Sequence, residues 1–210
     1  MIPFARAVTE LGEPTLLIPL CALLCACMTV RSRGWALRWT GAFAACAAGI
    51  AALKLCFLAC PQRSLWLHSP SGHAALSMLF FPSLAWFVTA DARRSIRAAA
   101  VALGVLAAAT VAASRAVLLA QSWSEVAVGG LVGLAAFAVF AEIRKPSGRK
   151  EDRRTPAVAV AAAAASRQAT WLLMVGLLAL TWALYGERLP FEDLLMRKAA
   201  VLRLTVAACQ

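Results

Sequence analysis

Four short clusters carry the polar chemistry of an otherwise apolar 210-residue chain: Lys54, Ser69-Pro70-Ser71-Gly72-His73, Ser114-Arg115, and Gln121-Ser122-Trp123-Ser124-Glu125. Ser69 suits a helix N-cap and Pro70 the first helical position, so the second cluster predicts a helix start with the N–H groups of Ser71 and Gly72 free. Free N–H groups at the positive end of a helix dipole bind phosphate. His73 stands one turn in, where an imidazole can donate a proton. Taken alone, the same segment also reads as a capped helix start with an interfacial histidine. Lys54 lies about six residues before the end of its apolar run; its ammonium can snorkel outward or meet a phosphate. Arg115 offers a planar fork to phosphate oxygens, or anchors a helix end. Gln121 and Glu125 share a helix face if their helix starts early. Ser122-x-x-Glu125 is also a capping-box pattern, with Trp123 as an interfacial aromatic.

The elements that must position these groups are membrane spans. The hydrophobic fraction is 62% and the charged fraction 15%, against about 45–50% and about 25% in ordinary globular chains; mean hydropathy is +0.76. That profile excludes a disordered chain and a disulfide-stapled secreted domain. The net charge of +11 sits mostly in short clusters between apolar runs, as loops at a membrane surface do, so nucleic acid is not the expected partner. A bilayer core needs about 20 apolar residues per helix. Runs at 14–30, 39–60, 73–90, 98–120, 126–140 and 170–185 predict an all-α, six-span bundle, a single membrane domain over residues 1–210. The alanine-rich 157–165 extends the sixth helix or lies at the interface. The first run follows Glu10 and Glu13 instead of a basic start and has no clear cleavage site, so it reads as a span and not a signal peptide. The tail at 188–210 carries an amphipathic pattern suited to the membrane surface.

Loops after the first, third and fifth spans carry three, three and six basic residues. The positive-inside rule therefore makes 31–38, 91–97 and the basic loop 144–156 cytoplasmic. All four polar clusters then face outward. Seven cysteines cannot all pair internally, and Cys21, Cys25, Cys27 and Cys46 lie within apolar runs as small hydrophobes. Cys60 and Cys209 fall on the oxidising side, where a disulfide can persist, although two free thiols are the simpler state. Cysteine spacing supports no zinc site, and neither a metal nor a cofactor is expected.

Together the clusters resemble the type 2 phosphatidic acid phosphatase superfamily, the membrane lipid-phosphate phosphatases. The family's Pro-Ser-Gly-His motif is intact as Pro70-Ser71-Gly72-His73. Its Ser-Arg motif is matched by Ser114-Arg115, and its glycine-dotted fifth helix by Gly129, Gly130 and Gly133. Its first motif is matched by Lys54, but Pro61-Gln62 stands where Arg-Pro is usual, and Arg63 comes two residues late. The resemblance implies that Lys54, Ser71, Gly72 and Arg115 hold phosphate, that His73 is the general acid, and that Glu125 is the orienting acid, one methylene longer than the usual Asp. The family's nucleophilic histidine is replaced by Gln121. A carboxamide nitrogen is delocalised into its carbonyl and cannot take over covalent catalysis; loss of a nucleophile costs on the order of 10⁶ in rate. His68 is nearby in sequence, but its spacing does not fit a takeover. The expected protein therefore has an outward-facing phosphate pocket for a lipid phosphate or diphosphate, with the phospho-histidine route impaired. A non-catalytic membrane protein binding anionic lipid head groups or partner proteins is the alternative. The expected place is a bacterial inner membrane, with the pocket toward the periplasm or outside.

The charge asymmetry makes a direct prediction. Single cysteine labels at Ser95 and Ser147 are protected from an impermeant reagent in intact cells, and one at Ser64 reacts. Labelling of Ser95 from outside reverses the orientation.

Overall fold

The computed structural model describes residues 2–59, 69–142 and 156–186, without the side chains of 58, 59, 156–167 and 169. The described residues are all-α. Seven helices follow in order: α1 (Ile2–Glu10), α2 (Pro14–Arg31), α3 (Arg33–Ala59), α4 (Gly72–Val88), α5 (Arg94–Val117), α6 (Trp123–Glu142) and α7 (Pro156–Leu184). Four of them, α2, α3 (to Phe57), α5 and α6, are long and apolar enough to cross a membrane. Gly72–Val88 and Thr170–Leu184 are apolar but shorter.

Three features depart from the sequence reading. α1 was not expected; it is a short amphipathic helix that packs on α5. The second apolar helix begins at Arg33, not near residue 39, because a single residue, Ser32, separates it from α2. α7 begins at Pro156, so the alanine-rich 157–165 is part of that helix, and the loop expected at 144–156 gives way to helix at its last residue. The rest of that loop, the tail at 188–210, Cys60, Cys209, His68 and Arg63 lie outside the described residues.

α4 is the axis of the bundle. It packs on α5, α6, α2 and α3 and buries ten side chains, Leu79, Phe80 and Phe87 among them. Its 17 residues rise about 26 Å, less than the roughly 30 Å of a hydrocarbon core. A helix surrounded by others meets helices over most of its surface and needs no full-length lipid-facing stripe. The exposed apolar side chains lie on other helices: Leu103 and Leu106 on α5, Leu131 and Val139 on α6, and Trp171, Leu178 and Trp182 on α7.

Close approach to α4 is set by glycine. A Cβ at Gly133 would run into the Ala75 carbonyl, one at Gly129 into the Ser71 backbone, and one at Gly104 would come within 2.8 Å of the Phe81 carbonyl oxygen. Small residues let helices meet backbone to backbone in this way. Gly130 differs: a Cβ there meets only Met78 Cγ, at 3.9 Å.

The end of α4 away from the site is closed by arginine. Arg97 donates to the carbonyls of Thr89, Ala90 and Ala92, at 3.3, 2.7 and 3.2 Å, and lies 5.3 Å from the Trp86 ring centre. Arg31 pairs with Asp91 and lies over Trp35.

Gly133→Ala should lower the thermal unfolding midpoint in detergent, with a cost of about 1–3 kcal/mol for overpacking. Gly130→Ala should leave it unchanged or raise it, since alanine gains up to ~1 kcal/mol in helix propensity. Equal effects from the two would remove the α4–α6 contact as the reason for the glycines.

Candidate functional site

The α1–α2 corner, the end of α3, the end of α5 and the start of α6 lie around the start of α4. The α2–α3 and α4–α5 connections lie at the other end, where Arg31 meets Asp91. The start of α4 is later than the sequence suggests. Ser71, not Ser69, is the N-cap, and Gly72, not Pro70, is the first helical residue. The reason is tertiary. Ser69 N–H donates to Glu125 Oε1 at 2.8 Å and Ser71 N–H to the Glu125 carbonyl at 3.0 Å, which hold residues 69–71 outside the helix. Ser71 N–H is therefore not a free donor. Ser71 Oγ accepts from Ala74 N–H and its carbonyl from Ala75 N–H. Among the described residues nothing accepts from the N–H groups of Gly72 and His73, so these two carry the helix-end donor function.

Ser71 is fully buried, and Lys54 and His73 are 7% and 4% exposed. Lys54 lies against the first turn of α4: its Cε is 3.9 Å from a Cβ built on Gly72. The side chain is thus packed inward and not snorkelled along the surface. His73 Nε2 is 2.7 Å from Glu13 Oε2. This carboxylate, directly before the Pro14 that opens α2, escaped the sequence reading as a site residue; there it served only, with Glu10, to tell the first apolar run from a signal peptide. The available signal was an acid at the same bundle end as the lone histidine of Pro-Ser-Gly-His.

Arg115 sits in the last turn of α5. Ala74, Ala112, Ala116 and Val126 are buried against one another, which brings the end of α5 and the start of α6 to the start of α4. Arg115 Nε is buried with no hydrogen-bond partner among the described residues, and so is Gln121 Oε1. The chain between them makes a tight helix stop. Ala120 N–H donates to the Arg115 carbonyl and Leu119 N–H to that of Ala116, both at 3.0 Å. This is the Schellman pattern. Its left-handed position is Leu119, with φ +56°, where glycine is usual and a side chain costs about 1–2 kcal/mol.

α6 then begins at Trp123, so Gln121 precedes the helix and does not share a helical face with Glu125. The capping box is formed instead: Glu125 Oε2 accepts from Ser122 N–H at 2.8 Å, and Ser122 Oγ from Glu125 N–H at 3.3 Å. Glu125 is 7% exposed, and its two carboxylate oxygens each take one backbone N–H, from Ser69 and Ser122. It staples the entry of α4 to the entry of α6.

In chemical terms, one bundle end gathers a buried ammonium, two helix-end N–H donors, a carboxylate-bound imidazole, and a guanidinium whose buried Nε has no partner among the described residues. That set suits an anion with several oxygens.

The chain is 36% identical over 144 residues to the "Uncharacterized 22.5 kDa protein in cps region" of Klebsiella pneumoniae, covering 67% of this chain and 69% of that protein. It belongs to the same family as that protein. No family model and no solved structure matches the chain.

Glu125→Ala should cost on the order of 2–4 kcal/mol, since it leaves two backbone donors without their charged acceptor. Thermal unfolding in detergent reads the loss. A change below about 0.5 kcal/mol would show that the carboxylate does not hold the two helix entries together.

Proposed function

We propose that this member of the cps-region protein family is a six-span membrane protein that binds the phosphate of a lipid phosphate or diphosphate at the end of the bundle where α4 begins. In this reading α4 and the apolar part of α7 span alongside the four longer helices, and the site faces the outside of a bacterial inner membrane. The observation that carries the reading is the buried Nε of Arg115, without a hydrogen-bond partner among the described residues, at the bundle end that also holds Lys54 and the N-terminal donors of α4. An unsatisfied buried donor costs about 1–3 kcal/mol, and a phosphate oxygen is the acceptor its charge favours.

The resemblance to type 2 phosphatidic acid phosphatases supplies the roles. Lys54, Arg115 and the N–H groups of Gly72 and His73 hold phosphate, Ser71 being left only its hydroxyl hydrogen because its N–H is given to the Glu125 carbonyl; the His73 ring stands beside the ester oxygen, and Gln121 occupies the nucleophile position. Gln121 cannot form a phospho-enzyme, and Glu125 is committed to backbone donors. The site thus retains recognition without the covalent route, which favours a binding protein over a turnover enzyme.

Phosphate release from a panel of lipid phosphates tests this. The unaltered chain should release phosphate very slowly or not at all. Gln121→His should raise the rate by on the order of 10²-fold or more, part of the roughly 10⁶-fold that a missing nucleophile costs, and should trap an acid-labile phospho-histidine. Adding Arg115→Ala should abolish the gain. Rapid turnover with a phospho-enzyme in the unaltered chain would overturn the reading of Gln121.

A further inference from the structure

We infer that Glu13 is a positioning residue for His73: it holds the ring by Nε2 and turns Nδ1 toward the phosphate, which makes the corner between α1 and α2 a working part of the site. The inference rests on the phosphate reading above. The contact joins residues 60 apart in sequence at 2.7 Å, with side-chain exposures of 5% for His73 and 18% for Glu13. It is a tertiary contact that only the folded bundle makes.

Glu13 is well placed to hold a ring still. It is the N-cap residue of α2, yet its side chain makes no capping bond to that helix. Its carbonyl does the local work, accepting from Leu16 and Leu17 N–H at 2.9 and 2.8 Å. The backbone is pinned and the carboxylate reaches across to α4. The preceding residue permits this. A Cβ on Gly12 would strike the Val111 side chain and lie 3.3 Å from Ser77 Oγ, so the corner lies close against α4 and α5, and a side chain there would require Val111 to shift.

The consequence is chemical. A histidine facing a carboxylate keeps the hydrogen on the nitrogen that faces it, and this fixes the tautomer and the ring plane. With Nε2–H donated to Glu13, that hydrogen stays in place whether the ring is neutral or charged. The exchangeable proton is then the one on Nδ1. Among the described residues Glu13 is the ring's recorded partner, which leaves Nδ1 as the nitrogen that meets a ligand. A charged ring donates Nδ1–H to a phosphate oxygen, adding a third cationic donor to Lys54 and Arg115.

The chain has two histidines, so His68→Gln leaves His73 as the single ring signal in a protein labelled with ¹⁵N-histidine. In that background Nε2 should carry the stable proton and inorganic phosphate should shift Nδ1 while leaving Nε2 nearly unmoved. Glu13→Ala should mix the tautomers and weaken phosphate binding on the order of tenfold, the scale of one charge-assisted hydrogen bond. Glu13→Gln should restore the tautomer, because its carboxamide oxygen accepts the same Nε2–H. Identical ring spectra for the parent and Glu13→Ala, or a phosphate shift on Nε2 in place of Nδ1, would overturn the inference. A ring that depends on Glu13 but ignores phosphate, with no binding by titration, would instead overturn the phosphate site itself.

Discussion

The bundle end that gathers the polar groups depends on one close approach, that of α6 to the first turns of α4. Gly129 and Gly133 lie where any side chain would enter the backbone of Ser71 and Ala75. Because the two backbones touch, the Glu125 carbonyl can accept from Ser71, and its carboxylate can reach both Ser69 and Ser122. Those bonds fix where α4 starts. The start of α4 fixes which N–H groups remain as donors and where His73 stands. The alanine contacts of Ala112 and Ala116 then set the last turn of α5, with Arg115, against the same turn.

The two ends of the bundle use arginine in opposite ways. At the far end Arg97 is spent on three carbonyls at the C-terminus of α4, where a cation also meets the negative end of the helix dipole. Arg31 is spent on Asp91 and Trp35. These side chains close the structure. At the site end Arg115 stands in the turn just before the Schellman stop of its helix, and its buried Nε has no acceptor among the described residues. The strained Leu119 helps explain the arrangement: an abrupt stop keeps the chain from Arg115 to Gln121 compact, at a local cost of about 1–2 kcal/mol.

Apolar run length made the helical class and the approximate helix positions legible, because that signal is local and averaged over many residues. The capping box at Ser122 and Glu125 was legible for the same reason, since it is written within four residues. What failed was decided by contacts between distant segments. Ser69 and Pro70 have the right types to open a helix, but Glu125, 56 residues away, holds their segment outside it. Gln121 and Glu125 have helical spacing, but a leucine in the left-handed conformation ends α5 just before them, and no residue type announces it. Glu13 carried no local signal for His73, and α1 is too short and too little apolar to register as a span.

Titration of inorganic phosphate into the purified 210-residue protein tests the central claim most directly, that the start of α4 is a phosphate site. The account predicts saturable binding that is lost in Arg115→Ala and in Lys54→Ala and kept in Arg94→Ala, an exposed charge at the opposite end of the bundle. Absence of saturable binding in the unaltered chain, or binding that survives loss of both Lys54 and Arg115, would contradict it.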